Sequence, residues 1–350
     1  MRGESHHGDL PDASFRRQKT AAKSFIRNDL EQEIMLPALR SWQSCLVILI
    51  SVGLLWTDRA WCLEKVRLGV STRNVVLMPF YYAKDKKLFE KHGLDVEIIQ
   101  IRSNLQLAGL IAGELDFITG IGTAIEGIGK GMPLKAVAVL YRAPLFSLLS
   151  QLPNAKSLEG KKISVSRIGS ESHFNGVVML ERSGADPKKV TWIQTGSTAL
   201  NMLPLERGLV EGAVLSPPFT GVMARKGFKI LKRSGDVIDA SPFNGLVTTR
   251  EKIQGHPDRV RSVLKATLEA IKSIRQDRKA VIAYIMQSFN VNQGVAEEAY
   301  EDIQGVLLDD MIMAESGLNK YLEMIHGRGE TSKVLTINEV ADYSFLKALK

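Results

Sequence analysis

The sequence Val66-Arg67-Leu68-Gly69-Val70-Ser71 predicts a short β-strand, because apolar residues alternate along it and polar residues end it. Residues 79–91 follow as a predicted helix, with a proline in the first turn and Gly93 as the stop. Residues 94–101 predict a second strand. Strands and helices that alternate over short connections indicate parallel β/α units, so this stretch decides the fold class as α/β.

The alternation continues beyond this stretch and then repeats. Strands are predicted at 115–119 and 134–141, with a helix before each of them. Residues 161–166 repeat the pattern of 66–71 at an offset of 95 residues, and residues 208–211 repeat 113–116 at the same offset. One offset shared by several segments indicates two similar α/β lobes. Coincidence among common strand–helix patterns is the alternative.

The C-terminal part has a different periodicity. Residues 256–308 carry an amphipathic stripe, spaced as one face of a helix. Its members are Val260, Val263, Leu264, Thr267, Leu268 and Ile271. Shorter helices are predicted at 280–289 and 295–307, and a last one ends at 342–346. We therefore expect a helical C-terminal region packed on the α/β body.

An apolar run of about a dozen residues, 45–56, precedes all of these segments. A membrane span needs about 20 residues, so the run does not predict an integral membrane protein. Arg40 before it and the small residues Ala60 and Cys62 after it are typical of a secretory signal peptide over 35–62. A buried core helix is the alternative. Lipid anchoring at Cys62 is not expected, because the residues before it do not suit a lipid-attachment sequence.

Residues 1–34 do not fit a signal peptide, because they are polar and too long for its positive segment. We expect them to be disordered or to precede a true start at Met35. Both cysteines, Cys45 and Cys62, fall in the leader. The mature chain is therefore expected to have no disulfide, no thiol nucleophile and no cysteine metal site.

The composition excludes several classes of protein. With 45% hydrophobic and 24% charged residues, the chain is typical of a packed soluble protein and not of a disordered one. The net charge of +8 is spread among acidic residues, without a compact basic run, so no nucleic-acid partner is expected.

Enzyme motifs are absent from the sequence. There is no Gly-x-Ser-x-Gly elbow, no Gly-x-Gly-x-x-Gly after a strand and no His-Glu-x-x-His. We therefore predict no catalytic residues, no metal and no cofactor.

Six short motifs occur in a fixed order over residues 64–350. They are Pro-Phe-Tyr-Tyr-Ala at 79–83, Leu-Phe-Glu-Lys-His-Gly-Leu-Asp-Val at 88–96, Gly-Glu-Leu-Asp-Phe at 113–117, Leu-Glu-Gly-Lys-Lys-Ile at 158–163, Gly-Ala-Asp-Pro at 184–187 and Ala-Asp-Tyr-Ser-Phe-Leu at 341–346. In these motifs the chain resembles the periplasmic substrate-binding proteins of ABC importers of the nitrate/sulfonate/taurine type, a family with a branch for thiamine pyrimidine precursors. One departure is Lys87, where the family usually has glycine; we expect this position on a helix surface.

The resemblance implies a type II periplasmic-binding-protein fold of two α/β lobes joined by two crossover strands. Lobe 1 is expected at 63–142 together with 246–350, and lobe 2 at 143–245. The implied function is that of a monomeric periplasmic solute-binding protein, which delivers a small molecule to an ABC permease and its ATPase. The alternative is an enzyme of the same fold, similar to thiamine-pyrimidine synthases or to menaquinone-pathway enzymes. The leader and the lack of mature cysteines disfavour that alternative.

Ligands of parallel sheets bind beyond the carboxyl ends of the strands, where helix N-termini present free N–H groups. Loops rich in glycine and hydroxyl residues are expected there in both lobes, with an aromatic residue for stacking and a histidine as a polar neighbour. The candidate ligand-binding residues are Ser71, Thr72, Arg73, Asn74, Phe80, Gly122, Thr123, Tyr141, Arg142, Arg167, Gly169, Ser170, Ser172, His173, Ser216, Pro217, Phe219 and Asn244.

Three of these candidates bear on the charge of the ligand. Arg73 and Arg167 follow the first strand of each lobe, and Arg142 lies at the predicted hinge. Arginine binds carboxylate, sulfonate or phosphate with paired N–H groups, so a small anionic organic ligand is predicted. If the arginines point to solvent, the competing prediction is a neutral heterocycle held by backbone and Ser/Thr groups.

Overall fold

The computed structural model describes residues 63–349. The signal peptide expected at 35–62 and the segment 1–34 lie outside the described residues. Within the described range, no helix combines the length and the apolar character that a bilayer crossing requires.

The strands of the described chain form two five-stranded sheets. In chain order they are β1 (Glu64–Val70), β2 (Leu94–Gln100), β3 (Phe117–Ile118), β4 (Leu134–Tyr141), β5 (Ser147–Ser150), β6 (Lys162–Val165), β7 (Thr191–Gln194), β8 (Gly212–Leu215), β9 (Lys229–Arg233) and β10 (Phe243–Thr249). Sheet 1 has the order β2-β1-β3-β10-β4, and sheet 2 has the order β7-β6-β8-β5-β9.

The helices of the same range flank the sheets and build the C-terminal region. They are α1 (Met78–Asp85), α2 (Leu88–Lys91), α3 (Ser103–Ile111), α4 (Ile121–Gly129), α5 (Glu171–Glu181), α6 (Thr198–Glu206), α7 (Phe219–Arg225), α8 (Arg250–Gly255), α9 (Pro257–Gln276), α10 (Arg278–Phe289), α11 (Gln293–Gln304), α12 (Glu315–Gly327), α13 (Ile337–Val340) and α14 (Ser344–Lys347).

Both sheets combine a parallel part with one antiparallel inner strand. In sheet 1, β1 runs parallel to β2 and β3, whereas β10 is antiparallel to β3 and β4. In sheet 2, β6 runs parallel to β7 and β8, whereas β5 is antiparallel to β8 and β9. The chain leaves sheet 1 after β4 and returns in β10. That strand pairs with β4 from Phe243 onward.

The offset of 95 residues seen in the sequence also relates elements of the structure. Helices α3 and α6 are related by this offset at both ends: they begin at 103 and 198, and they end at 111 and 206. Strand β8 begins at 212, which is 95 residues after the start of β3 at 117. The two lobes therefore share one β/α plan along the chain.

The helix predicted over 79–91 is two helices in the structure. Lys87 separates α1 from α2 with a left-handed backbone, φ 56°. Glycine adopts this backbone conformation without strain, whereas a residue with a Cβ does not. The expectation that Lys87 lies on a helix surface was therefore wrong, because the residue joins two helices.

Four of the C-terminal helices contact strands of sheet 1, namely α8, α9, α13 and α14. In α9 the predicted stripe is buried, except that Leu268 is half-buried, and this helix packs against α1 and α2. Inside the sheet, β10 and β4 approach so closely that a Cβ on Gly245 would lie 2.0 Å from the carbonyl oxygen of Ala138. Phe243, at the start of β10, meets Phe146 edge-on with ring centroids 5.2 Å apart, so the hydrophobic core continues from one sheet towards the other.

Candidate functional site

A small cleft, with a cavity volume of about 60 Å³, lies where the two sheets face each other. The loops after β1, β3, β6 and β8 all reach the cleft. These loops follow the carboxyl ends of parallel strands in both sheets. Its lining is mostly hydroxyl and amide side chains: Ser71, Thr72, Asn74, Val76, Leu77, Gln106, Gly120, Thr123, Phe146, Ser166, Ser170, Glu171, Ser172, Thr198, Ser216, Phe243 and Asn244.

Two hydrogen bonds cross the cleft from one lobe to the other. Asn74 Nδ2 donates to Ser216 Oγ over 3.1 Å, and the backbone N–H of Gly122 donates to Glu171 Oε1 over 3.0 Å. Ion pairs at the sides of the cleft add to these contacts, with Arg328 bonded to Glu181 at 2.9 Å. The lobes are thus in direct contact around the cavity.

Two hydroxyls in the lining are buried without a partner among the described residues. Thr72 is 3% exposed and Thr198 is 7% exposed, and neither Oγ1 makes a hydrogen bond there. A buried polar group that is left unsatisfied costs about 1–3 kcal/mol. A solute that bonds to both hydroxyls would recover that free energy.

Many of the predicted binding residues line this cleft, and their side chains are mainly hydroxyls and amides. They are Ser71, Thr72, Asn74, Thr123, Ser170, Ser172, Ser216 and Asn244. Asn244 has a left-handed backbone, φ 50°, which asparagine tolerates better than most residues.

The three arginines predicted to clamp an anion do not line the cleft. Arg73 is exposed, and its guanidinium lies 4.3 Å from the ring centroid of Tyr81. Arg142 is also exposed and donates to the carbonyl oxygen of Gly305 at 2.8 Å. Arg167 donates to the carbonyl oxygen of Ile168 within its own loop. All three arginines follow a strand. Arg73 and Arg142 have partners elsewhere, whereas the buried Nε of Arg167 has no hydrogen-bond partner among the described residues.

Other predicted residues lie in the core or beside the cleft. Phe80 and Tyr141 are fully buried in the core. Pro217 lines a separate pocket, Phe219 packs as a half-buried side chain against the core of sheet 2, and Gly122 and Gly169 line a cavity that adjoins the cleft.

His173 lies at the edge of the site with partners of its own. Its Nδ1 accepts the N–H of Gly169 at 3.2 Å, and its ring meets Trp192 edge-on with centroids 4.8 Å apart. Burial, together with the charges of Arg167 and Arg328, lowers the pKa of His173 below its ordinary value. The neutral imidazole therefore supports the loop after β6.

The candidate list did not include several lining residues. Gln106 and Thr198 lie in the first turns of α3 and α6, and the carbonyl oxygen of Ile101 accepts a bond from Gln106 Nε2 at 3.2 Å. The 95-residue offset relates these two helices but pairs Gln106 with Asn201, so the repeat does not identify the two lining residues. Also missed were Val76, Leu77, Gly120, Phe146, Ser166, Glu171 and Phe243.

Glu171 is the one charged side chain in the cleft lining. Burial raises its pKa to about 7, although the hydrogen bond from the Gly122 N–H opposes that rise. Burial raises the pKa of the Tyr321 hydroxyl, and the charges of Glu171 and Glu330 raise it further. The adjoining cavity is lined by Tyr321, Glu126 and Glu330 as well, so the surroundings of Glu171 are acidic.

The chemistry that the lining offers is hydrogen bonding. Ser170 Oγ and Ser172 Oγ lie 3.0 Å apart, and Ser172 Oγ accepts the backbone N–H of Ser166 at 2.9 Å. The lining contains no histidine, lysine or cysteine to activate a serine as a nucleophile. Among residues 63–349, no group of His, Cys, Asp or Glu is arranged to hold a metal ion.

Solved structures with similar folds include binding proteins and an enzyme. A ligand-binding component of an ABC-type import system from Staphylococcus aureus, with zinc bound, is 16% identical with a TM-score of 0.68, over 82% of this chain and 99% of that one. The alkanesulfonate-binding protein SsuA from Xanthomonas axonopodis pv. citri, bound to MOPS, is 17% identical with a TM-score of 0.66, over 79% and 98%. The desulfurization enzyme DszB is 12% identical with a TM-score of 0.61, over 81% and 98%. No curated protein sequence matches the chain.

These likenesses and the two sheets define a periplasmic-binding-protein fold, with a cleft between two α/β lobes. The family described as NMT1/THI5 like matches residues 74–280, which is more than half of the chain. The chain belongs to the NMT1/THI5-like family.

Proposed function

We propose that the chain is the solute-binding component of an ABC importer and that it holds one small solute in the cleft. The observation that carries the proposal is a polar cavity lined from both lobes, with two buried hydroxyls, on Thr72 and Thr198, that lack partners in the described chain. Pockets of this kind fix a ligand through a few convergent polar groups. The similar import-system component from Staphylococcus aureus supports the transport role.

Capture and delivery follow from the two-lobe plan. The lobes are proposed as 63–142 with the C-terminal region, and 143 up to the return strand β10. A solute that bonds to loops of both lobes stabilises the closed arrangement, which the lobes reach by a hinge motion. The closed form is the one that docks on a permease. The protein acts as a monomer in the periplasm, after a leader has directed its export.

The solute that fits this cleft is a small molecule with several hydrogen-bonding groups and no strong anion. The anionic solute predicted from the sequence depended on Arg73, Arg142 and Arg167, whose guanidinium groups lie elsewhere. The neutral alternative, held by backbone and Ser/Thr groups, fits the lining better. Phe146 and Phe243 give the cavity an apolar wall for a ring or an alkyl portion.

An enzyme is the second candidate, because DszB has a similar fold. Fold alone does not decide activity. The serine hydroxyls of the lining bond to one another and to backbone groups. The one possible general base in the lining is Glu171. We therefore propose binding without turnover.

The experiment begins with the full chain purified from cells that express it natively. Small molecules released by denaturation are identified by mass spectrometry, and their rebinding is measured by calorimetry. Thr198→Phe should fill the cleft and abolish rebinding. Thr191→Phe, an exposed threonine on β7, is the matched control and should bind as the parent does.

Transport is tested with the same solute. Deleting the gene should lower its uptake, which the Thr191→Phe gene should restore and the Thr198→Phe gene should not. Equal binding by both variants would refute the cleft as the site. Chemical conversion of the solute by the purified chain alone would establish the enzyme instead.

A further inference from the structure

The carboxylate of Glu171 occupies the N-terminus of a helix in the opposite lobe. Glu171 is the first residue of α5, on the side of sheet 2, and Gly122 is the second residue of α4, on the side of sheet 1. The N–H of Gly122 belongs to the first helical turn and so has no partner within α4. Gly120, the N-cap of α4, has no side chain to satisfy it. Glu171 Oε1 accepts this N–H over 3.0 Å.

The fit between the two residues is close. A Cβ on Gly122 would lie 3.1 Å from Glu171 Cγ and 3.2 Å from Oε1, tighter than ordinary side-chain contact. A methyl group at this position would press on the carboxylate, so the glycine lets Glu171 approach the helix end this closely. Glu171 lines the main cleft as well as the adjoining cavity, so it stands where a solute would meet this helix end.

A helix N-terminus with free N–H groups is a ready site for an anion. In this cleft the chain supplies the anion itself. The lining contains no lysine or arginine to offset a second negative charge beside Glu171. An anionic solute would have to displace the carboxylate or lie next to it, and either arrangement is unfavourable.

Other acidic and polar groups lie near Glu171. Tyr321 on α12, Glu126 on α4 and Glu330 beyond α12 line the adjoining cavity. Glu126 pairs with Lys130 at 2.7 Å, and Glu330 lies 3.7 Å from Arg328, whose Nη1 bonds to Glu181. These cations are engaged with other carboxylates, so none of them pairs with Glu171.

We propose that Glu171 sets the charge specificity of the cleft, as an internal anion that excludes sulfonates, phosphates and other anionic solutes and favours solutes with an N–H or O–H donor or a positive charge. This proposal rests on the binding role proposed above and names the class of solute. The second carboxylate oxygen of Glu171 is the acceptor for such a donor. Because burial raises the pKa of Glu171 to about 7, protonation on the acid side weakens the exclusion.

The test uses the full chain and ethanesulfonate as the probe, and calorimetry at pH 8 measures the binding. A titration with chloride at equal ionic strength is the reference. Glu171→Ala frees the Gly122 N–H and removes the charge, so this variant should bind ethanesulfonate at least about tenfold more tightly than the parent. Glu171→Gln removes the charge but still fills the helix end, and its gain should be smaller. Glu323→Ala removes an exposed charge from α12 without freeing that N–H, and should behave as the parent.

The proposal is overturned if the parent binds ethanesulfonate as tightly as Glu171→Ala does, or if the affinity of Glu323→Ala rises as much as that of Glu171→Ala. Should Glu171→Ala not fold, the parent alone decides. Its affinity for ethanesulfonate should rise about tenfold between pH 8 and pH 5.5, and an unchanged affinity would refute the internal anion. No permease takes part in these measurements, so their failure would remove the specificity role and leave the transport experiment to be judged separately.

Discussion

Asn74 and Ser216 join the two lobes through a hydrogen bond of 3.1 Å between Nδ2 and Oγ. Both residues are buried, and each follows a strand of a different sheet. The Oδ1 of Asn74 also accepts the N–H of Leu77 at 3.2 Å, which caps the short helical turn Val75–Leu77. One side chain therefore orders its own loop and reaches the opposite wall of the cleft.

Replacing Ser216 by alanine should test this link. The variant leaves the Nδ2 of Asn74 buried without its acceptor, so the free energy of unfolding should fall by about 1–2 kcal/mol. Binding of the cleft solute should weaken several-fold in calorimetry, because closure loses an interlobe contact. Ser316→Ala, at an exposed position of α12, is the control and should change neither quantity. Unchanged stability and binding in Ser216→Ala would show that the bond contributes nothing.

Lys87→Gly should stabilise the protein. The left-handed backbone at φ 56° costs a residue with a Cβ about 1–2 kcal/mol, and glycine recovers most of this while it loses about 0.5–1 kcal/mol of chain entropy. We expect a net gain of about 0.5–1 kcal/mol in urea unfolding. Lys84→Gly, within α1, should instead destabilise by about 1 kcal/mol. A loss of stability in both variants would contradict the strain argument.

Gly245→Ala should disrupt sheet 1. The added methyl group would lie 2.0 Å from the carbonyl oxygen of Ala138 and 2.7 Å from Ile121 Cδ1, so β10 and β4 must separate. Overpacking of this kind costs about 1–3 kcal/mol or more. Gly255→Ala, where a Cβ meets nothing within 4 Å, should leave the melting temperature within about a degree of the parent. Equal melting temperatures for the two variants would mean that the strands can part freely.

Glu171 should give the stability a pH dependence of known sign. Its pKa is raised to about 7 by burial, above the value of about 4.3 in an unfolded chain. Between these values the native state binds more protons than the unfolded state, so the free energy of unfolding falls as the pH rises. Glu171→Gln has no such proton to lose. The free energy of unfolding of this variant, relative to that of the parent, should therefore rise by on the order of 2 kcal/mol from pH 5 to pH 8.

The measurement is urea unfolding at both pH values. Glu323→Gln, on the exposed face of α12, is the control and should follow the parent at both. If the difference between Glu171→Gln and the parent stays constant with pH, Glu171 does not titrate in this range.

The sequence predicted the elements of the fold better than the directions of its side chains. Strand β4 covers 134–141 as expected, because its apolar run is bounded by clear turn signals. The predicted hydroxyls reach the cleft because strand ends of a parallel sheet share one edge. Arg73 and Arg142 follow the same rule for their backbone, but their long side chains turn away from the cleft, Arg73 to the nearby Tyr81 and Arg142 to Gly305, which is 163 residues away.

Other misses have a similar cause. Lys87 sits in a sequence that reads as continuous helix, and only the packing of α2 against α9 reveals the break. The contact between Glu171 and Gly122 joins two lobes whose relative position no local pattern encodes. Periodicity describes one element at a time, so interlobe contacts lie beyond it.

The interlocked strand order has a consequence for how the chain is completed during synthesis. A nascent chain made as far as Arg233 contains every strand of sheet 2 but still lacks β10, which lies between β3 and β4 in sheet 1. Sheet 2 can therefore form from one continuous segment, whereas sheet 1 cannot close until Thr249 has been added. The lobe that begins first is finished last, and during that interval β3 and β4 expose unpaired backbone edges of the kind that promote aggregation.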